Sequence, residues 1–471
     1  MLFNSLRFLV FFPVVTAVYF TLPHAWRWAW LLAMSCVFYA AFVPAYLLIL
    51  ATSIAIDYIA GIVIEDASPR WRKPALILSL VVNIALLAVF KYGPFVWDNL
   101  RAVATLFGQE WADLGRLMLP IGLSFHTFQA MAYTIEVYYG RQRAERHLGI
   151  YALYVMFYPQ LVAGPIERPQ ALLPQFRTVH RFDYDQMRMG LLRMLWGFIK
   201  KTVVADRLAI AADAVFTAPE SQTGLAAPLG VVCFAWQIYC DFSGYSDIAI
   251  GAAQVMGFRL MENFDRPYAA ESLGEFWHRW HRSLSQWFRD YLYFPLGGNR
   301  VGPSRHALNL LIVFAISGLW HGAAWNYVLW GLYHGGLLAM CGWLGQFVRV
   351  PKGLGRPLTL FAVCVGWILF RATSFENALA VGSKCASGMI ALITTPSIAM
   401  NIISPGLPLW EIATTIIGIE VAEAAATRWQ ITPARIIAAP WYVRWGVYYA
   451  GIWLVLSCGR FDARQFIYFQ F

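Results

Sequence analysis

Charge is what this sequence has least of. Only 13% of its 471 residues are Asp, Glu, Lys or Arg, against 59% hydrophobic and 16% aromatic residues. A soluble domain carries about 25% charged residues, so this chain has too few to cover a water-facing surface of its size. Acid is scarcer than base: 26 Asp and Glu stand against 36 Lys and Arg, a net charge of +10. The basic residues gather in a few loops and form no stripe of the kind that grips nucleic acid. They match instead the basic bias of cytoplasmic loops in membrane proteins. The 7 cysteines include no CxxC pair. Cys36, Cys233, Cys341, Cys364 and Cys458 sit inside apolar runs, which argues against a disulfide frame or a zinc site. Cys240 borders a polar stretch and is the one candidate for a reactive thiol. No GxSxG elbow, Walker loop, GxGxxG turn or HExxH helix occurs, so a serine-triad, phosphate-loop, dinucleotide or zincin mechanism has no anchor. Repeats and low-complexity stretches are absent as well.

What is present is a series of apolar runs, at 8–22, 28–43, 46–64, 75–92, 117–138, 149–163, 226–240, 243–258, 307–320, 324–347, 357–371, 376–393, 407–423 and 441–458. Several fall short of the ~20 residues that a helix needs to span about 30 Å of hydrocarbon. The pattern predicts an all-α, polytopic bundle of about 10–12 crossings, mixed with buried half-helices. It forms a single integral membrane domain over 1–471. The first run, with only Arg7 before it and no small-residue cleavage site after it, reads as a retained helix. Loops 65–74, 140–147, 177–207, 259–306 and 349–356 hold most of the Lys and Arg and are expected on the cytoplasmic side. Only the run 149–163 separates two of them, so it is expected to be re-entrant. By the same logic the short run 307–320 leaves residue 321 at membrane depth.

The longest polar stretch, 259–306, is rich in aromatic residues. Phe276, Trp277, Trp280, Leu284, Trp287, Phe288 and Tyr291 recur at steps of three and four, which predicts an amphipathic helix at the membrane surface. Its other face carries Arg279, Arg282, Arg289 and Asp290. His278 and His281 would be neighbours on that helix. A third ligand at convincing spacing is missing, so no metal site is expected. His281 reads as a polar partner in a catalytic cleft, and His278 as a solvated or capping residue. His321, within SGLWHGAAWNYVLWG, has apolar or small neighbours on both sides. An ionisable group at membrane depth is costly and by default functional; the bland alternative is a neutral histidine bonded at a helix break. Gly318 and Gly322 would let backbone or ligand come close. His126, Gln129 and Glu136, and likewise Asp241, Ser243, Tyr245 and Asp247, read either as cavity lining or as structural bonding. Acyl transfer to a hydroxyl needs a base for the alcohol proton, and histidine's pKa of ~6.5 suits it.

FWHRWHRSLSQWFRDYLYFPLGGNR, followed by SGLWHGAAWNYVLWG, resembles the signature of the membrane-bound O-acyltransferases. LPIGLSFHTFQ, YPQLVAGPIERP, YCDFSGYSDIAIG, ENFDRPY and the terminal FIYFQF fit the same family. The signature core covers about 117–347, and the match is weakest over about 380–440. The resemblance implies a helical bundle around a central polar cavity. It places the family's hallmark histidine on His321 and its second catalytic position on His281.

The branch it is similar to implies a bacterial inner-membrane, multi-pass O-acetyltransferase with no permanently bound cofactor. Acetyl would come from acetyl-CoA or an acyl-carrier thioester in the cytoplasm, with Arg279, Arg282 and Arg289 attracting the donor's phosphate or, alternatively, anionic lipid head groups. A periplasmic SGNH-like partner would place the acetyl on an exported polysaccharide, alginate-like or cellulose-like. D-alanyl transfer to teichoic acid, or acylation of another hydroxyl, is the nearest alternative. A transporter or flippase is a remote one: broken helices and interior polar groups suit transport, but transport does not call for the aromatic helix paired with His321.

Overall fold

The computed structural model describes residues 1–113, 120, 122–162, 164–345, 350–351, 353–395, 406–461 and 466–467. The start of the expected 117–138 span, parts of the 349–356 loop, residue 163 and the last four residues of FIYFQF lie outside the described residues. Every regular element among them is helical. Three helices are long and apolar enough to cross a membrane by length and composition alone: Tyr46–Asp66, Pro69–Leu106 and Phe375–Thr394. The chain divides into two compact units, Met1–Gly190 with Ala252–Met261, and Leu191–Gly251 with Glu262–Phe471.

In the first unit, Tyr46–Asp66 runs 21 residues, about 32 Å at 1.5 Å per residue. Its Asp57 is fully buried. The carboxylate accepts Ser79 Oγ at 2.5 Å and Asn83 Nδ2 at 2.9 and 3.0 Å, with Ser53 Oγ at 3.2 Å. Ser79 Oγ also lies 3.0 Å from Thr134 Oγ1. A lone carboxylate among apolar helices is tolerable only when its oxygens are this well supplied. The knot pins three helices, since Thr134 belongs to Leu123–Tyr138.

The run 149–163 is broken into two short helices. Its helix Leu148–Met156 has nine residues, about 14 Å of rise. The chain turns at Phe157, φ −54 and ψ 110, into the short helix Tyr158–Leu161. The break frees the Tyr154 carbonyl, and Gln129 and Gln160 Nε2 donate to it at 2.7 and 2.8 Å. Glu136 is taken by Gln170 Nε2 at 2.6 Å. Of the two readings open for these residues, Gln129 and Glu136 take the structural one. His126 lies buried on the same helix.

The second unit holds a helical hairpin, Pro303–His321 and Trp325–Leu344. Glycine sets its closeness. A Cβ on Gly318 would come within 2.1 Å of the Tyr327 carbonyl oxygen, and one on Gly331 within 2.0 Å of that of Phe314. The close approach expected at Gly318 is therefore made by the following helix. His321 is the last residue of the first arm, at the hairpin's tip.

Elsewhere in this unit a π-helical turn over Ile199–Ala205 widens the chain where Lys200 and Lys201, adjacent in sequence, each reach a carboxylate. Lys201 Nζ lies 2.9 Å from Asp206 and 2.8 Å from Asp241, and Lys200 pairs with Asp247. Arg193 pairs with Asp247 at 2.9 Å, and Ile467 N–H donates to Asp241 Oδ2 at 2.8 Å. Asp241 and Asp247 thus hold cations rather than line a cavity, and Tyr245 stacks on Phe466 at 4.5 Å between ring centroids. Ser243 and Cys240 are fully enclosed, and burial pushes any reactive-thiol role for Cys240 out of reach of solvent reagents.

The aromatic periodicity over 276–291 predicts one continuous helix, but the structure has two, Leu273–Arg279 and Arg282–Phe288, followed by a π-helical turn over Arg289–Tyr293. Trp280 is extended and His281 is left-handed, φ 42 and ψ 56. That break keeps Phe276, Trp280, Leu284, Trp287 and Phe288 all buried. It also separates His278 from His281, which periodicity alone would place side by side.

Candidate active site

His281 occupies the break between the two short helices. A non-glycine residue at positive φ is uncommon and costs energy, and here tertiary bonds hold it. Arg282 N–H donates to the Asn263 carbonyl at 2.9 Å, and Asp265 N–H to that of Arg279 at 3.0 Å. The segment 263–265 thus backs the break. Asn263 reaches into it with its side chain: Oδ1 lies 3.0 Å from His281 Nδ1, 2.9 Å from Ser283 Oγ and 3.3 Å from Ser283 N. Its Nδ2 points the other way, 3.3 Å from Ser246 Oγ.

These contacts determine a proton. Ser283 N–H can only donate, so the amide atom facing it is the oxygen. An oxygen opposite Nδ1 requires Nδ1 to carry hydrogen, and in a neutral ring Nε2 is then the lone-pair nitrogen. The ring is 1% exposed. Burial lowers its pKa to about 3, because the charged form loses its hydration. His281 is therefore a neutral imidazole presenting an acceptor at Nε2.

His321 is also buried, among aromatic rings. Its ring centroid lies 4.8 Å from Trp320, 5.2 Å from Trp330 and 5.2 Å from Phe370. Trp320 lies 6.3 Å from the His281 ring. The two histidines singled out from sequence, 40 positions apart, thus meet the same indole. His278 does not join them: it is exposed, with Nδ1 2.8 Å from the Gly274 carbonyl.

The three arginines separate in the same way. Arg279 is paired with Glu275 at 2.6 Å, and Arg289 with Asp290 at 2.8 Å. Arg282, half-buried and next to His281, has no carboxylate partner among the described residues.

Sequence reasoning missed Asn263 and Trp320. A single Asn in a polar stretch carries no signal of its own, and its role depends on the chain folding back on itself across 18 residues. Trp320, next to His321, reads from sequence as one more apolar flank.

Comparison with known proteins bears directly on this arrangement. A family profile, MBOAT, the membrane-bound O-acyltransferase family, matches residues 139–381 and so includes Asn263, His281 and His321. The chain is 42% identical over 384 residues to the probable alginate O-acetylase of Pseudomonas aeruginosa, covering 80% of this chain and 73% of that protein. It is 34% identical to the peptidoglycan O-acetyltransferase of Helicobacter pylori, over 83% of this chain and 80% of that one. Against the teichoic acid D-alanyltransferase of Streptococcus thermophilus identity is 29%, over 49% of this chain and 59% of the relative.

Proposed function

This chain belongs to the membrane-bound O-acyltransferase family and is an O-acyltransferase, and we propose that it carries acetyl from a cytoplasmic thioester across the bacterial inner membrane for O-acetylation of an exported polysaccharide. In this reading the acceptor hydroxyl attacks the thioester carbonyl carbon. The new C–O bond forms, the C–S bond breaks to expel the thiolate, and a base takes the hydroxyl proton and passes it to that leaving sulfur. His321 is that base, enclosed by Trp320, Trp330 and Phe370.

For His281 the sequence leaves two roles, positioning the thioester or supporting the oxyanion. The second requires an N–H aimed at the oxyanion. The tautomer held by Asn263 places the hydrogen on Nδ1 and leaves Nε2 an acceptor. Positioning is the role that fits: Nε2 receives a hydrogen bond from an N–H or O–H of a substrate.

The observation that carries this reading is that His281 and His321 share Trp320 in a buried site. Relatives named for polysaccharide or peptidoglycan O-acetylation match 80% or more of this chain. That coverage favours acetyl over D-alanyl, whose relatives match about half of it. Arg282 is the residue that meets the donor's phosphate. A periplasmic SGNH-like partner receives the acetyl and completes transfer to the polymer. Membranes supplied with radiolabelled acetyl thioester and the polymer test the reading: label should reach the polymer only when the partner protein is present. Labelling from D-alanyl thioester instead would favour the alternative.

A further inference from the structure

The segment that holds His281 is itself held. Arg193, part-buried on the helix Tyr184–Phe198, sets its guanidinium between two carboxylates. On one side Nε and Nη2 donate to Asp247 Oδ1 at 3.0 and 2.9 Å. On the other Nη1 donates to Glu262 Oε1 at 2.6 Å and Nη2 to Glu262 Oε2. Four bonds from one planar group need the guanidinium fork, which a lysine does not have.

The two carboxylates occupy telling places. Asp247 lies on the helix Ala226–Val255 beside Ser246, whose hydroxyl is 3.3 Å from Asn263 Nδ2. Glu262 is the residue before Asn263. Two neighbours on the helix thus meet two neighbours on the 262–265 segment. One pair meets directly and the other through Arg193. The direct bond is a long one for N–H···O, so it constrains the Asn263 amide only loosely. The charged, two-pronged Arg193–Glu262 pair is the firmer tie. Lys200 also pairs with Asp247, so Asp247 keeps a cation if Arg193 is removed. Glu262 does not: among the described residues Arg193 is its only basic partner. Because Glu262 is exposed, the pair adds little to stability. What it fixes is position.

We propose that Arg193 is a positioning residue for acyl transfer: it ties Glu262 to Asp247 and so keeps the Asn263 amide against the His281 ring. It touches no substrate and acts through Asn263. If the tie is cut, the amide can withdraw from Nδ1 or turn its Nδ2 towards it, and the hydrogen on Nδ1 is no longer secured. The inference rests on the reading that His281 positions a substrate.

The test uses the full-length enzyme in its membranes and the thioester that the wild type uses, acetyl or D-alanyl. A wrong donor therefore overturns the proposed function and leaves this test intact. Arg193→Met and Glu262→Ala should each lower kcat by about 2- to 12-fold, no more than the worth of the one Asn263 hydrogen bond they secure. Glu262→Gln keeps an acceptor for the guanidinium and should recover most of that loss. In an Asn263→Ala background neither change should lower kcat further, because the residue they act through is gone. Arg207 is the control: it is buried to the same degree but bonds to Glu411 and the Cys458 carbonyl. Arg207→Met should lower the melting temperature and leave kcat per folded enzyme unchanged. If Arg193→Met is lost from the membrane, the two Glu262 variants decide the matter, since that side chain is exposed. Equal losses in the wild-type and Asn263→Ala backgrounds would make the tie structural and overturn the inference. So would unchanged kcat in both Arg193→Met and Glu262→Ala. Wild-type transfer by His281→Ala would sink the reading of His281 and this inference together, whereas the other adverse outcomes sink this inference alone.

Discussion

Asn263 Oδ1 receives His281 Nδ1 at 3.0 Å and the backbone N–H of Ser283 at 3.3 Å, and so sets which nitrogen of the imidazole carries hydrogen. Removing that oxygen frees the ring to turn and to change tautomer. Asn263→Ala should lower kcat for transfer by about 10-fold, the upper range for one buried hydrogen bond, with membrane insertion retained. Asn263→Asp keeps an acceptor at the same place and should recover part of the loss at neutral pH. If Asn263→Ala transfers at the wild-type rate, His281 does not depend on this tautomer.

Burial lowers the His281 pKa from 6.5 to about 3. The native ring thus binds fewer protons than the unfolded one between these values, and this contribution to stability falls as pH drops through that window. Melting in detergent should shift downward on acidification below about pH 6.5, and less so in His281→Gln. Transfer should show no loss from protonation of His281 between about pH 8 and pH 5. In Asn263→Asp the adjacent carboxylate favours the imidazolium, so activity in that variant should fall on the acid side first. Superimposable profiles for Asn263→Asp and wild type would contradict the assignment.

Arg282, beside His281, has no carboxylate partner among the described residues, whereas Arg279 and Arg289 have one each. Arg282→Gln should raise the KM for a phosphate-bearing donor by roughly 10-fold, about the worth of one charge-assisted hydrogen bond. Arg279→Gln and Arg289→Gln should change it much less. Equal effects at all three sites, or dependence on anionic lipid rather than on donor, would point to the membrane surface.

Lys201 is 1% exposed and stands between Asp206 and Asp241. Deleting one member of a buried ion group leaves the others uncompensated, at a cost of about 3–5 kcal/mol. Lys201→Met should therefore reduce abundance and melting temperature. Lys201→Met combined with Asp241→Asn should recover part of the loss, because fewer charges remain stranded. A single variant as stable as the wild type would remove the ion group from the framework of the fold.

The all-α membrane fold was legible because hydrocarbon admits few alternatives: long apolar runs with little charge must become helices. The expectation that 149–163 does not cross rests on loop charge; what the structure adds is that its helix Leu148–Met156 is nine residues long, short of the ~20 a span needs. The break at Trp280–His281 was not. Aromatic residues at steps of three and four fit one helix as well as two, and the deciding bonds come from Asn263, distant in sequence. His281 and His321 were found because ionisable groups in apolar surroundings stand out.

The central claim is that His321 and His281 act as one catalytic unit, and acetyl transfer in purified membranes tests it most directly. At wild-type protein level His321→Ala should cut the rate by about 10²–10⁴-fold, the worth of a general base, and His281→Ala by about 10²-fold, the cost of a misplaced substrate. The double variant should be little worse than His321→Ala alone, and His278→Ala should lose far less. Near-wild-type transfer by His321→Ala would contradict the account, and disappearance of that protein from the membrane would make His321 a structural residue.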